Sequence, residues 1–151
     1  MKILVLLDGS KWSQKAAMHA LMLAKEKEDG SEVVLFSVID RAEVRSAAFY
    51  LCKQSNMCDM IAEHEAKIWR DMKKNIGDEM AEILLSLNKA GIECSSVIVE
   101  GKRSEEIAKE ANSGSYNLIV MGAFGKKSNN QVGTLYSMLA KDVSVPILVI
   151  N

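Results

Sequence analysis

The sequence predicts an α/β domain built around a parallel sheet. Five short apolar runs rich in Val, Ile and Leu recur along the chain, and most of them are continuous rather than alternating. Continuous apolar runs are typical of strands that are covered on both faces, as in parallel sheets. Segments with a helical spacing of apolar residues lie between these runs. Strands that alternate with helices indicate parallel strands joined by right-handed crossovers.

The predicted strands are the five apolar runs. In chain order they are Ile3–Leu7, Val33–Val38, Ser96–Val99, Leu118–Met121 and Ile147–Ile150. The first helix follows the first strand, and either Ser10 or Ser13 can cap its start. The longest helix precedes the third strand, with Asp59 as the N-cap and Gly91 just past the C-terminal end.

Two further helices complete the pattern. One is predicted near Ser104–Ala111 and the other near Thr134–Lys141, which ends before the single proline, Pro146. The least periodic stretch, Asp40–Cys58, is interpreted as a loop or a short extra helix after the second strand. Loops in that position border the ligand crevice of open sheets, so we expect this stretch to be a candidate flap.

Length and composition indicate one globular domain over residues 1–151. Apolar residues make up 48% and charged residues 26% of the chain, which is the ordinary globular range. The formal net charge is −1, whereas a general nucleic-acid binder is usually strongly basic. No stretch approaches the roughly 18 to 20 apolar residues of a membrane span, and no signal-peptide pattern is present. We therefore expect neither a nucleic acid nor a membrane as partner.

The cysteines and methionines are assigned structural roles. Cys52, Cys58 and Cys94 form no CxxC pair, and their odd number argues against a disulfide framework. We expect reduced thiols in a cytoplasmic protein. The methionines, Met18 and Met22 among them, are expected to fill the core.

Charged residues outside the loops carry no metal or catalytic pattern. His19 and His64 stand alone and are interpreted as residues of helix surfaces. Lys102 and Arg103, followed by two glutamates, are interpreted as a solvated helix start. No residue is assigned a catalytic role, and no dedicated metal site is expected.

The loop after the first strand is the first candidate for chemistry. Ligands of open parallel sheets bind outside the carboxyl ends of the strands, where the strand order reverses. Asp8, Gly9 and Ser10 offer a carboxylate, a flexible glycine and a hydroxyl there. The same residues also suit a plain turn followed by an N-cap, so both interpretations stay open.

The loop after the fourth strand is richer in glycine and polar residues. Gly122, Gly125 and Gly133 let backbone N–H groups approach a phosphate closely. Thr134 adds a hydroxyl at the start of the following helix, where unpaired N–H groups and the positive end of the helix dipole favour anions. Lys126 adds positive charge. The loop is suited to a polyphosphate, although an exposed polar loop has a similar composition.

Together these features resemble the universal stress protein family. The resemblance covers essentially the whole chain and rests on Asp8-Gly9-Ser10, Val38-Ile39-Asp40, Gly101, the late glycine loop and the C-terminal run Val145–Ile150. Nucleotide-binding members of the family carry G-x2-G, a spacer and G-[S/T]. Gly122 and Gly125 match the first part, and Gly133-Thr134 match the second. Seven residues separate Gly125 from Gly133, two fewer than in the family pattern.

The resemblance implies a Rossmann-like sheet of five parallel strands in the order 3-2-1-4-5, with helices on both faces. It also implies an ATP-type site, occupied by ATP, ADP or AMP. On general chemical grounds, Mg²⁺ can accompany the phosphates of ATP. Asp8 matches the acid that contacts the base, and Val38 matches the strand residue beside the base. The phosphate and ribose positions fall on Gly122, Gly125, Gly133 and Thr134, with Lys126 as a candidate phosphate partner.

The resemblance further implies a homodimer that pairs through the last strand, Pro146 to Ile150. An unpaired apolar edge strand fits this independently, because such edges attract partners.

Three functions follow from these observations. The first is a stress-response regulatory protein that binds an adenine nucleotide, with slow hydrolysis or none. The second is a dimeric interaction module without nucleotide, which the shortened loop favours. The third is a weak ATP hydrolase or phosphotransferase, in which Ser128, Asn129 or Asn130 positions water or an acceptor.

Overall fold

Five parallel strands form one open sheet in the order β3-β2-β1-β4-β5. The computed structural model describes residues 1–27, 30–125 and 134–151, with Thr134 described by its backbone alone. The strands are β1 (Lys2–Leu6), β2 (Glu32–Asp40), β3 (Glu93–Gly101), β4 (Leu118–Gly122) and β5 (Ile147–Ile150). The helices are α1 (Lys11–Lys25), α2 (Arg41–Ser55), α3 (Ile61–Lys89), α4 (Arg103–Ser113) and α5 (Thr134–Asp142), with a 3₁₀ turn at Cys58–Met60. The predicted α/β fold and strand order are confirmed.

Helices cover both faces of the sheet. Successive side chains of β1 point to opposite faces, so that Ile3 and Val5 join one core cluster while Leu4 joins the other. The first cluster contains α1 and α3 residues, and the second contains α4 and α5 residues such as Ile107 and Leu139. The continuous apolar runs of the sequence therefore reflect strands that are buried on both sides.

Capping explains where α1 begins and where α3 ends. Ser10 is the N-cap of α1, and its hydroxyl accepts a hydrogen bond from the backbone N–H of Ser13 at 3.2 Å. Gly91 follows the end of α3 with φ of +73°, a left-handed conformation that glycine adopts readily. The prediction of Asp59 as N-cap is wrong, because α3 begins at Ile61 and Asp59 lies inside the 3₁₀ turn.

Most of the segment Asp40–Cys58 forms helix α2, so the extra-helix alternative is confirmed and the loop interpretation is wrong. Helix α2 has 15 residues, and the Asp40 side chain caps it by accepting a hydrogen bond from Ala42 N–H at 2.9 Å. Its buried residues are Val44, Ala48 and Cys52. Three small or β-branched residues at every fourth position give a weak apolar stripe, which explains why the periodicity of the sequence did not reveal the helix.

Two cysteines are joined, which corrects the expectation of three reduced thiols. Helix α2 ends at Asn56 in the left-handed conformation, with φ of 54°. The chain reverses there and brings Cys52 and Cys58 to a Cα–Cα distance of 4.6 Å, where they form a disulfide. Cys94 is free and half-buried. An odd cysteine count is compatible with one disulfide and one thiol, so counting could not exclude the bridge.

The methionines divide between core and surface. Met80 and Met121 are buried, whereas Met18 and Met22 are each 57% exposed, so the prediction that these two fill the core is wrong. Neither belongs to the alanine-rich buried stripe of α1, and Met18 lies at a groove between α1 and α3. None of the helices in the described part of the chain combines the length and the apolar character needed to cross a membrane.

Candidate functional site

The strand order reverses at β1, which pairs with β2 on one side and β4 on the other. Open α/β sheets bind ligands outside the carboxyl ends of their strands at such a switch point. A cavity of about 770 Å³ lies there, within the range of roughly 300 to 1,000 Å³ found for small-molecule sites. The loops after β1 and β4, the end of β2 and the first residue of α4, Arg103, all contribute to its wall.

Asp8 and the glycine loop meet in this cavity. A β-carbon placed on Gly125 would lie 3.5 Å from Oδ2 of Asp8, so the two loops lie side by side. The other carboxylate oxygen, Oδ1, accepts a hydrogen bond from the backbone N–H of Ser10 at 2.9 Å. Both predicted loops therefore contribute to one site at one end of the sheet.

The three residues of the first loop have different roles. Asp8 and Gly9 line the cavity, and Gly9 has φ of +81°, which a side chain would disfavour. Ser10 is buried and caps α1, and it is not among the residues that line the cavity. The turn-plus-cap interpretation accounts for Ser10, and a ligand role for this residue stays a prediction.

Gly122 brings the end of β4 against the start of α1. A β-carbon at this position would lie 2.7 Å from Cβ of Trp12 and 2.8 Å from its backbone carbon. These separations are shorter than real contacts, so only glycine fits between β4 and the first turn of α1. Next to this contact, the rings of Trp12 and Phe124 meet edge to face with centroids 5.0 Å apart. At this side of the cavity, β4 and the first turn of α1 therefore pack closely, backbone against backbone.

Val38 and Arg103 form the neighbouring part of the wall. Val38 is buried at the end of β2, and its carbonyl accepts a hydrogen bond from Nη2 of Arg103 at 3.3 Å. Both terminal nitrogens of the same guanidinium donate to the Glu43 carboxylate, Nη1 to Oε1 at 2.5 Å and Nη2 to Oε2 at 3.0 Å. The backbone N–H of Arg103 donates a hydrogen bond to Oδ2 of Asp40 at 3.2 Å. Arg103 thus joins β2, α2 and α4 at the cavity.

The interpretation of Arg103 as part of a solvated helix start is wrong. Its side chain is 26% exposed and lines the cavity. Burial alone would lower the pKa of the guanidinium, but the hydrogen bond to Glu43 and the negative charges of Glu43, Asp40 and Asp8 raise this pKa above its ordinary value. Its position two residues after the end of β3, at the same sheet edge as Asp8, was the signal that could have identified it.

The outer wall of the cavity is largely apolar. Helix α2 contributes Ala47, and α3 contributes Ile68, Met72 and Ile76. In the described lining the charged groups are three acids and one cation, Arg103. The cavity therefore offers apolar side chains together with carboxylate acceptors.

The comparison with known proteins identifies the family. A profile of the universal stress protein family matches residues 1–151. The chain belongs to the universal stress protein family. It is 26% identical over 154 residues to universal stress protein MJ0577 of Methanocaldococcus jannaschii, and the match covers 99% of this chain and 94% of that protein. The solved structure of MJ0577 aligns with a TM-score of 0.81 at 25% identity, over 99% of this chain and 94% of that chain.

Two further structures share the fold. Universal stress protein UspA from Lactobacillus plantarum aligns with a TM-score of 0.81 at 19% identity, over 100% of this chain and 97% of that chain. A universal stress protein family member from Arabidopsis thaliana, solved with AMP bound, aligns with a TM-score of 0.65 at 14% identity. That alignment covers 99% of this chain and 90% of the Arabidopsis chain.

The family resemblance assigned further positions to phosphate and ribose. Gly122 and Gly125 lie at the cavity, as expected. Lys126, Gly133 and the side chain of Thr134 lie outside the described residues, so their roles stay predictions. The backbone of Thr134 begins α5, and the next residue, Leu135, lines the cavity. The N-terminus of α5 therefore borders the site.

Metal ligation by side chains alone has no support in the described residues, where no three His, Cys, Asp or Glu side chains are grouped to hold an ion. Mg²⁺ is commonly bound through one or two carboxylates together with substrate phosphates. A role for Mg²⁺ on the phosphates therefore stays a prediction.

Proposed function

We propose that this universal stress protein is a cytoplasmic stress-response regulator that binds an adenine nucleotide, ATP, ADP or AMP, in the cavity between β1 and β4, with slow hydrolysis or none. The observation that carries the proposal is the proximity of Asp8 and Gly125 at the switch point. It joins a carboxylate acceptor to a glycine loop in front of a helix N-terminus. The Arabidopsis relative with AMP bound supports the choice of ligand class.

In this proposal, different groups of residues bind the nucleoside, the phosphates and the base. The Asp8 carboxylate accepts hydrogen bonds from hydroxyl or amino groups of the nucleoside. Amides of the glycine loop and of the α5 N-terminus hold phosphate oxygens, with Lys126 adding charge. The apolar side chains of α2 and α3 enclose the base, while Val38 supports it at the end of β2.

Thermal unfolding and calorimetry with ATP, ADP and AMP, each with and without Mg²⁺, test the proposal. Ligand at about 100 times Kd stabilises a folded protein by about 2.7 kcal/mol, which corresponds to roughly 5 to 10 °C for a chain of this size. Asp8→Asn should weaken binding about tenfold, because the amide presents two donors in place of one acceptor oxygen. Asp59→Asn is the matched control, since Asp59 is exposed in the 3₁₀ turn and does not line the cavity.

The absence of any upshift with all three nucleotides at millimolar concentration would refute nucleotide binding. Loss of affinity in Asp59→Asn as large as in Asp8→Asn would instead refute the assigned role of Asp8. Hydrolysis depends on Ser128, Asn129 and Asn130, which lie outside the described residues, so an ATPase activity stays a prediction.

A dimeric interaction module is the second candidate function, and the edge position of β5 favours it. In the described sheet β5 pairs with β4 alone, and Leu148 on its surface is 37% exposed. An edge strand with an apolar side chain is suited to association with a second copy of the chain. We expect sedimentation to give a dimer and Leu148→Lys to give a monomer. A stable dimer that binds none of the three nucleotides would favour this second function over the first.

A further inference from the structure

Helix α2 forms part of the cavity wall and is fastened at both ends. At its start, Asp40 caps the helix and Glu43 is gripped by Arg103. At its end, Cys52 is bound to Cys58 just before the chain enters α3. One fastening is ionic and the other is covalent.

Between these two ends α2 packs mainly on α3 and buries few side chains, all of them small or β-branched. The buried face of α2 consists of Val44, Ala48 and Cys52. Two bulky residues of the same helix, Phe49 and Tyr50, are 51% and 65% exposed and add little burial. A helix that buries so few large side chains has a low local stability. Its position therefore depends strongly on its two fastenings.

The disulfide lies at the joint between the two helices of the outer wall. Glu43 and Ala47 of α2 line the cavity, as do Ile68 and Met72 of α3. The bridge fixes the short connection between these helices, and so limits how far they can separate. A change at this joint therefore reaches the cavity through both helices at once.

The two cysteines differ in their access to solvent. Cys58 is exposed, whereas Cys52 is completely buried. Thiol–disulfide exchange begins when a thiolate reaches one of the two sulfurs, so accessibility decides which sulfur is attacked. Cys58 is therefore the point of entry for an external thiol.

We propose that the Cys52–Cys58 disulfide is a thiol-exchange site, and that its reduction by a dithiol loosens the wall and weakens ligand binding in the cavity. This inference rests on the proposed nucleotide function. One thiolate of the dithiol attacks Sγ of Cys58, forming a mixed disulfide, while Sγ of Cys52 leaves with the bond's electron pair and takes up a proton. The second thiolate of the dithiol then attacks the dithiol sulfur of the mixed disulfide, which closes a disulfide within the dithiol. This step releases Cys58 as a thiol and leaves the dithiol oxidised by two electrons.

The direction of the effect follows from conformational entropy. A wall that is already ordered binds a ligand without further loss of freedom, whereas a loosened wall must be ordered during binding. Reduction should therefore raise the Kd for AMP, by about fivefold if the coupling lies at the lower end of the usual allosteric range.

The experiment uses the full chain in its oxidised form and after reduction with dithiothreitol. Alkylation and mass spectrometry count the thiols, calorimetry measures the Kd for AMP, and hydrogen exchange follows the peptides of residues 41–75. Cys58→Ser removes the bridge and should behave like the reduced protein in both states. Cys94→Ser is the control, because Cys94 lies outside the bridge and this variant should keep the full redox response.

The expected result is one free thiol before reduction and three after it, a Kd for AMP about fivefold higher after reduction, and faster exchange at the end of α2. Three free thiols in the oxidised sample, or an equal Kd in both states, would overturn the proposal. If AMP binds in neither state, the nucleotide function fails. The thiol-exchange site is then judged by hydrogen exchange, where faster exchange supports it and unchanged exchange rejects it.

Discussion

The guanidinium of Arg103 and the carboxylate of Glu43 form a two-pronged ion pair at the cavity, with nitrogen–oxygen distances of 2.5 and 3.0 Å. The pair connects the first residue of α4 to the first turn of α2. Bidentate contacts between arginine and a carboxylate fix geometry as well as charge. Arg103 therefore sets the position of α2 relative to the sheet.

A double-mutant cycle of Arg103→Met and Glu43→Gln measures this pair. The two side chains are 26% and 37% exposed, so solvent screens them in part, and we expect a coupling free energy of about 1 kcal/mol. Chemical denaturation of the four proteins gives the value. Strictly additive single variants would show that the pair does not stabilise the fold.

Gly122→Ala should destabilise the protein by about 1 to 3 kcal/mol, because the added methyl overlaps the Trp12 backbone. Gly77→Ala is the matched control within α3. A β-carbon on Gly77 meets no atom within 4 Å, and alanine in a helix interior gains up to about 1 kcal/mol. Thermal unfolding of both variants should thus give shifts of opposite sign. A Gly122→Ala protein as stable as the parent would contradict the close packing of β4 on α1.

Ser10→Ala tests the division of roles in the first loop. Loss of the N-cap bond to Ser13 should lower the free energy of unfolding by about 1 kcal/mol. Because Ser10 does not line the cavity, the Kd for AMP should change less than twofold. Calorimetry on this variant decides, and a tenfold loss of affinity would restore Ser10 as a ligand residue.

Stability should fall at alkaline pH because of Tyr116. Burial raises the pKa of its phenol, as do its 2.6 Å hydrogen bond to Glu110 and the negative charges of Glu110 and Glu32. Below about pH 10 the phenol is neutral in both states, and above it the unfolded chain ionises first, so the free energy of unfolding declines as the pH rises. Urea titrations between about pH 9 and pH 11 should show this decline.

Tyr116→Phe should lose about 1 kcal/mol near neutral pH with the hydrogen bond, and should show a shallower alkaline decline. Tyr50→Phe is the control at an exposed position on α2 and should keep the parental slope. Equal slopes for Tyr116→Phe and the parent would assign the decline to other groups.

The sheet was predictable because burial on both faces leaves continuous apolar runs in the sequence. Strand β3 extends well beyond its predicted core, over Glu93–Gly101, because it is an edge strand that tolerates charged residues such as Glu100. The same reasoning failed for α2, whose few small buried residues leave no clear stripe in the pattern.

Part of the candidate site could be predicted from one rule, namely that loops at a topological switch point lie close together. Asp8 and Gly125 were found in this way. Arg103 and Glu43 were not, because the charged neighbours of Arg103 indicated a solvated helix start and Glu43 lies in the segment of weak periodicity, so nothing in the pattern marked the two as partners. The bridge between Cys52 and Cys58 likewise depends on the left-handed turn at Asn56, which residue counting does not reveal.

The hydrogen bond from Ser10 N–H to Asp8 Oδ1 has a consequence for ligand choice. Folding has already fixed the orientation of the carboxylate, so an arriving molecule meets a rigid acceptor rather than a rotating one. A molecule with a hydroxyl or amine opposite Oδ2 benefits fully from that preorganisation. A molecule that lacks such a group would desolvate the Asp8 carboxylate without forming a hydrogen bond to it. The turn therefore lowers the affinity for compounds that otherwise fit the cavity.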